Sequence, residues 1–113
     1  MLKKAEFKPR KIKFKAWNTE TRLLMRLNSI DCNKGELVKK GHILLQFTGL
    51  CDKDGEEIYD WDVLLIDYDK YLVFWDEEKK GWYYSALTNP GVQEVFLLNV
   101  AEKMKRFCSH FEL

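Results

Sequence analysis

Between Ile43 and Leu98 the chain alternates short apolar runs with tight polar breaks, and that rhythm leaves few folds open. The runs Ile43-Leu44-Leu45-Gln46-Phe47, Val63-Leu64-Leu65-Ile66, Tyr71-Leu72-Val73-Phe74-Trp75, Trp82 to Leu87 and Val92 to Leu98 are rich in β-branched and aromatic residues and read as strands. Thr48-Gly49 ends or bulges the first of them. Asp52-Lys53-Asp54-Gly55 has the chemistry of a tight turn: Asp52 can bond the amides ahead of it, and Asp-Gly supplies positive φ. Asp67 to Lys70 joins the next pair as a short hairpin, Asp76 to Gly81 is a polar turn, and Asn89-Pro90-Gly91 is a strong turn signal. Short strands at this spacing predict a mainly β chain built as a small, nearly closed barrel. The aromatic strand Trp82 to Leu87 cannot bury both faces in so small a domain. Some of Trp82, Tyr83, Tyr84, Trp75 and Tyr71 are therefore expected at the surface or under a partner.

The first 40 residues follow another pattern. Residues 1–10 show no period and contain Pro9, which reads as a basic extended arm. Ile12, Phe14 and Ala16 then alternate with Lys11, Lys13 and Lys15, predicting a half-buried strand with a charged outer face. Asn18 to Thr21 is a turn, and Leu23, Met25 and Leu27 continue as a second strand, giving a hairpin with Trp17 near its corner. Asn28 to Lys40 is a polar loop with room for a short strand. At the far end Asn99, with Glu102 three residues on, predicts a capped C-terminal helix whose Val100, Met104 and Phe107 lie on one face. The expected organisation is an arm over 1–10, a hairpin segment and loop over 11–40, and a β-barrel with its C-terminal helix over 41–113.

The near-neutral net charge of +1 hides an asymmetry. Residues 1–15 carry seven Lys/Arg against the single acid Glu6, a net +6, while the remainder holds 12 basic and 17 acidic residues, a net −5. A basic head on an acidic body suits nucleic acid, or it pairs with its own or a neighbour's acidic face. No apolar run reaches transmembrane length and no secretory h-region follows the N-terminus, so a cytoplasmic protein is expected. Cys32, Cys51 and Cys108 are an odd, widely spaced set, which fits reduced thiols.

The stretch Gln46-Phe47-Thr48-Gly49-Leu50, then Asp52-Lys53, Gly55, Ile58-Tyr59 and Asp62, resembles the signature of the YopX family, small proteins encoded mostly by bacteriophages and prophages. Lys11-Ile12-Lys13-Phe14-Lys15-Ala16-Trp17-Asn18 is similar to that family's usual beginning. Phe74-Trp75-Asp76-Glu77-Glu78 with Gly81-Trp82 is similar to its later strands. The resemblance covers roughly residues 11 to 100. It implies a Src-homology-3-like barrel after an N-terminal segment, and a phage or prophage origin. Members are largely of unknown function, so it brings no catalytic residue. The departure is Trp61, where the family usually has Gly between two acidic residues. Either the turn has another geometry in this chain or the position never needed positive φ.

Candidate sites are few. Asp52, Asp54, Glu56, Glu57, Asp60 and Asp62 form the densest acidic cluster. A calcium-binding helix-loop-helix needs Gly at its sixth position, and with Asp52 first, Gly55 falls fourth, so that motif fails. The cluster reads as turn acids capping amides. A hard cation between Asp52, Asp60 and Asp62, or a docking surface for a basic partner, are the alternatives. Cys108-Ser109-His110 completes no zinc site, and Cys51 with His42 lacks the spacing of a nucleophile pair. Asp67 and Asp69 read as turn acids. Phosphate-loop, dinucleotide, hydrolase-elbow and zincin motifs are lacking, so no cofactor and no catalysis are expected. The aromatic set Tyr59, Trp61, Tyr68, Tyr71, Trp75, Trp82, Tyr83 and Tyr84 beside acidic loops suits a protein partner or self-association. The expected interaction residues are Tyr59, Trp61, Trp75, Trp82, Tyr84, Asp54, Glu56 and Asp60. Nucleic-acid binding, the alternative, would use Lys8, Arg10, Lys11, Lys13 and Lys15 on phosphate.

Overall fold

Asn18 closes the first hairpin. Its Oδ1 accepts from the Glu20 and Thr21 N–H groups at 2.9 and 3.0 Å, turning β1 (Phe14–Asn18) back onto β2 (Leu24–Arg26). The long β5 (His42–Cys51) lies on the other side of β1, with Ala16 opposite Leu44. The loop between them carries a separate small hairpin, β3 (Asp31–Asn33) and β4 (Glu36–Val38). These elements come from a computed structural model describing residues 8–113. The expected arm therefore lies, for residues 1–7, outside the described residues, and 8–10 belong to no strand.

Thr48-Gly49 bulges β5 without ending it. The register against β6 (Glu57–Tyr59) shifts between Phe47 and Cys51, Gly49 takes φ +88°, and Thr48 Oγ1 donates to the Ile58 carbonyl at 2.8 Å. Asp52 builds the turn that follows, its Oδ1 accepting from the Asp54 and Glu56 N–H groups at 2.8 and 2.9 Å, with Gly55 at φ +83°. The chain then crosses from one sheet to the other at Asp60-Trp61. The Asp60 N–H donates to Gln46 in the first sheet, and the Trp61 N–H to Val73 in the second, both at 2.8 Å.

The second sheet runs through β7 (Asp62–Ile66), β8 (Asp69–Asp76), β9 (Gly81–Ala86), β10 (Asn89–Val95) and β11 (Lys105–Ser109), in the order β10-β9-β8-β7-β11. The first is ordered β2-β1-β5-β6. Ile58, Leu64, Val73 and Phe96 fill the space they enclose, and Ala101 of the one-turn helix α1 (Leu98–Ala101) and Met104 close it. The architecture is a small Src-homology-3-like barrel, curled more than closed, behind an N-terminal hairpin and with a short C-terminal helix.

Several local expectations change. Asn89-Pro90-Gly91 is no turn: it opens β10, which is irregular between Asn89 and Glu94, and the turn proper is Leu87-Thr88. An edge strand tolerates Pro because no neighbour needs its missing N–H. The helix ends at Ala101, starts from Leu97 with no side-chain cap, and holds Asn99 inside it. Phe107 sits on β11, half-exposed. The capping box falls ten residues later, around the 3-10 turn His110–Glu112, where Glu112 accepts from the Ser109 N–H at 2.9 Å. Lys15 does not face solvent: it is 9% exposed, and its ammonium lies 4.4 Å from the centroid of the Tyr59 ring. Burial, reinforced by Arg106, holds its pKa below the ordinary lysine value.

β11 carries Arg106, which joins the acidic turn to the barrel. Its backbone N–H donates to Asp52 Oδ2 at 2.7 Å, while its guanidinium donates to both carboxylate oxygens of Asp62, at 2.9 and 3.3 Å. Asp62 is 1% exposed and also accepts from the Tyr59 N–H at 2.8 Å. Burial pushes its carboxyl up, against the pull of Arg106. Removing one partner of such a pair leaves an uncompensated buried charge. Arg106→Ala should therefore lose about 3–5 kcal/mol of stability in a urea titration. Lys105→Ala, whose ion pair with Asp54 at 3.6 Å is solvent-exposed, should lose no more than about 1 kcal/mol.

Candidate protein-interaction groove

The hairpin of β8 and β9 sets Tyr71, Val73 and Trp75 on one face, opposite Ala86, Tyr84 and Trp82 in register. Val73 is buried, and Tyr84 and Trp82 both pack on the core, but Trp75, opposite Trp82, surfaces. Trp75 is 41% exposed and meets Trp82 edge-to-face, with ring centroids 5.3 Å apart. Phe14 of β1 and Leu44 and Gln46 of β5 face this pair across a groove of about 290 Å³ where the two sheets meet.

Asp60 lies in that groove. Its Oδ1 accepts from the Trp75 N–H at 3.2 Å. Burial pushes its carboxyl up to about 6, with the like charge of Asp62 adding to the rise, while the Trp75 and Trp61 N–H groups pull it down. Among the described residues Asp60 has no ion-pair partner. Arg10, ahead of β1, also lines the groove.

The other expected interaction residues do not gather at this site. Tyr59 is buried, 5.5 Å from the Phe47 ring, so it offers no outer face. Tyr84 packs between Tyr71 and Phe96 and donates its hydroxyl to Glu94 at 2.7 Å. Asp54 and Glu56 are exposed but lie 3.6 and 4.0 Å from Lys105 and Arg106, cations of β11, a strand where the sequence predicts a helix. Asp52 is held by three backbone N–H donors. Burial pushes its carboxyl up, and the Arg106, Glu56 and Asp54 N–H groups together outweigh that and hold it below its ordinary value. No group of three or more His, Cys, Asp or Glu among the described residues is arranged to hold a metal ion. Cys51 and His42 stand at opposite ends of β5. Of the basic set, Lys13 pairs with Glu57 at 2.7 Å and Lys15 is buried on Tyr59, while Lys8, Arg10 and Lys11 are exposed.

The family model for YopX protein matches residues 1–105. The chain belongs to the YopX family. The crystal structure of protein EF1440 from Enterococcus faecalis is similar to it, with a TM-score of 0.63 and 18% identity over 92% of this chain and 96% of that one. At that identity the likeness concerns the fold. No curated protein matches the chain.

In this YopX chain Trp61 does sit at positive φ, +65°, so the turn kept the geometry that suits Gly. The ring is 37% exposed and leans on His110 and Phe111, at 5.6 and 6.1 Å, and Phe111 in turn stacks on Trp17 at 5.8 Å. The Trp61 carbonyl accepts from the His110 N–H at 2.7 Å. These contacts offset a left-handed conformation that costs an L-residue about 1–2 kcal/mol. Trp61 is thus a clamp on the C-terminal turn and does not line the groove.

Two outcomes follow. Trp61→Ala keeps the strained φ and loses the ring, so Trp61→Gly should be the more stable variant by about 1 kcal/mol in thermal unfolding, the reverse of the usual order. Asp60 has a folded pKa above its unfolded one, so its stabilising contribution is complete below about pH 4 and lost as pH rises through about 6. Asp60→Asn should therefore raise the melting temperature at pH 7.5 relative to the parent, with the gap shrinking steadily toward pH 4.

Proposed function

We propose that this YopX protein is a non-catalytic interaction module, encoded by a phage or prophage and acting in the host cytoplasm, which binds another protein, or a second copy of itself, through the aromatic and acidic groove between its sheets. The observation that carries this reading is the Trp75–Trp82 pair beside Asp60: Trp82 packs on the core, and Trp75, 41% exposed, stands edge-to-face on it at the open end of the ladder. Exposed, rigid aromatic surface is what protein-recognition sites are enriched in, and the carboxylate beside it supplies charge complementarity for a cationic group of the partner. The family resemblance supports the phage origin. Nucleic-acid binding through the N-terminal head is the second reading. It is weaker because Lys13 and Lys15 are engaged with Glu57 and Tyr59.

Affinity capture from the bacterial host, run beside light scattering, tests the reading. The parent should retain a defined protein or self-associate, and Trp75→Ala should abolish this while Trp61→Ala leaves it largely intact. Retention unchanged by Trp75→Ala, or binding to DNA or RNA that falls steeply with salt and ignores Trp75, would overturn it.

A further inference from the structure

Inside the groove a carboxylate that no cation pairs with among the described residues stands next to two indoles. Asp60 is half-buried, its Oδ1 accepts from the Trp75 N–H at 3.2 Å, and the Trp61 N–H also acts on its carboxylate. Elsewhere among the described residues the partly or fully buried acids are matched: Asp62 by Arg106, Glu57 by Lys13, Asp52 by three backbone N–H groups and Asp76 by the Glu78 and Lys79 N–H groups. An indole face attracts a cation, more strongly where water is excluded, and a nearby carboxylate adds charge complementarity. The protein makes such contacts with its own cations: Lys15 over Tyr59, Lys79 over Tyr83 and Arg22 over Trp17. The groove, at about 290 Å³, is shaped for a side chain and not for a folded surface.

Resting on the interaction reading above, we infer that the groove receives an arginine side chain from an extended basic segment of the partner protein, its guanidinium set between the Trp75–Trp82 pair and the Asp60 carboxylate. Arginine fits better than lysine because its planar group can lie on an indole while still donating toward a carboxylate. Among the described residues the charged groups around Asp60 are Asp62 on the following strand and Arg10 on the groove wall. β5, β8 and β9 present Leu44, Gln46, Trp75 and Trp82 to it, none of which titrates. Arg10 therefore competes with the incoming guanidinium, and protonation of Asp60 removes its counter-charge.

The test uses acetyl-Gly-Arg-Gly-amide as probe, its citrulline analogue as a neutral control of the same shape, and two-dimensional amide and indole NMR on the whole chain. The arginine peptide should move the Trp75 and Trp82 indole signals and the Asp60 amide, and the citrulline peptide should not. Asp60→Asn should weaken binding at least tenfold, and lowering the pH from 7.5 to 5 on the parent should weaken it about tenfold, the fall in ionised carboxylate for a group titrating near 6. Arg10→Ala should tighten it. Equal binding of the citrulline peptide, no response to pH, or shifts confined to Asp54 and Glu56 would overturn the proposal. Should the arginine peptide fail to bind while Trp75→Ala still abolishes partner capture, the arginine site is rejected and the interaction groove stands. Should partner capture also ignore Trp75, both are rejected.

Discussion

The barrel depends on one buried ion pair. Arg106 reaches from β11 into the β5–β6 turn with its backbone and into the start of β7 with its guanidinium. Two segments more than forty residues upstream are thereby fastened to the end of the chain. A buried ion pair is weak support for net stability, since desolvating both charges opposes their attraction. Its value is specificity. Asp62 has no other charged hydrogen-bond partner among the described residues, so β11 settles against β7 in the register that brings Arg106 opposite Leu64. Without that register Asp62 would be buried unpaired, at a cost of several kcal/mol. The acidic stretch that looks like a metal loop in sequence is instead organised around a guanidinium, with Glu56 and Glu112 each 4.0 Å from it.

That same pair marks the limit of what the sequence could disclose. Turn chemistry is local, so the Asn18 and Asp52 turns, the Gly49 bulge and the β7–β8 and β8–β9 hairpins were legible from a few residues each. β11 was not. Val100, Met104 and Phe107 fit a helical period, and Val100 and Met104 do pack on the core, but from Lys105 on the chain alternates exposed and covered residues as a strand does. Five residues cannot establish a period, and the deciding fact was the partner β7 with its buried Asp62, a long-range one. Lys15 failed for a related reason. Alternation assigns it to the outer face, but the aromatic ring that covers its ammonium, Tyr59, lies on another strand. Asn89-Pro90-Gly91 failed because turn residues also suit an edge strand, and being at an edge is a property of the sheet.

The aromatic residues were legible as a group and not as a site. Composition and the crowded β8 and β9 strands required some rings to be exposed, and Trp75 is. Which rings gather follows from register. Trp75 lies opposite Trp82 near the end of a ladder in which Val73, Tyr84 and Trp82 itself are already claimed by the core, so Trp75 is the ring left at the surface. Tyr59 and Trp61, close in sequence, go separately: one into the first sheet's core against Phe47, the other onto the C-terminal turn.

The separation begins at Trp61. Asp60 and Asp62 are two residues apart, and in a continuous strand they would point to the same side. They do not share a site, because the residue between them is left-handed and the chain changes sheets at that point. One carboxylate turns inward to Arg106 and the other into the groove beside Trp75. A single strained residue thus turns two like charges toward different partners, although Asp62 still raises the Asp60 carboxyl. It leaves one as the anchor of the fold and the other, among the described residues, without an ion-pair partner at an open groove. The ring contacts to His110 and Phe111 help hold a non-glycine residue in that conformation, so the large side chain at this position also secures the C-terminal turn.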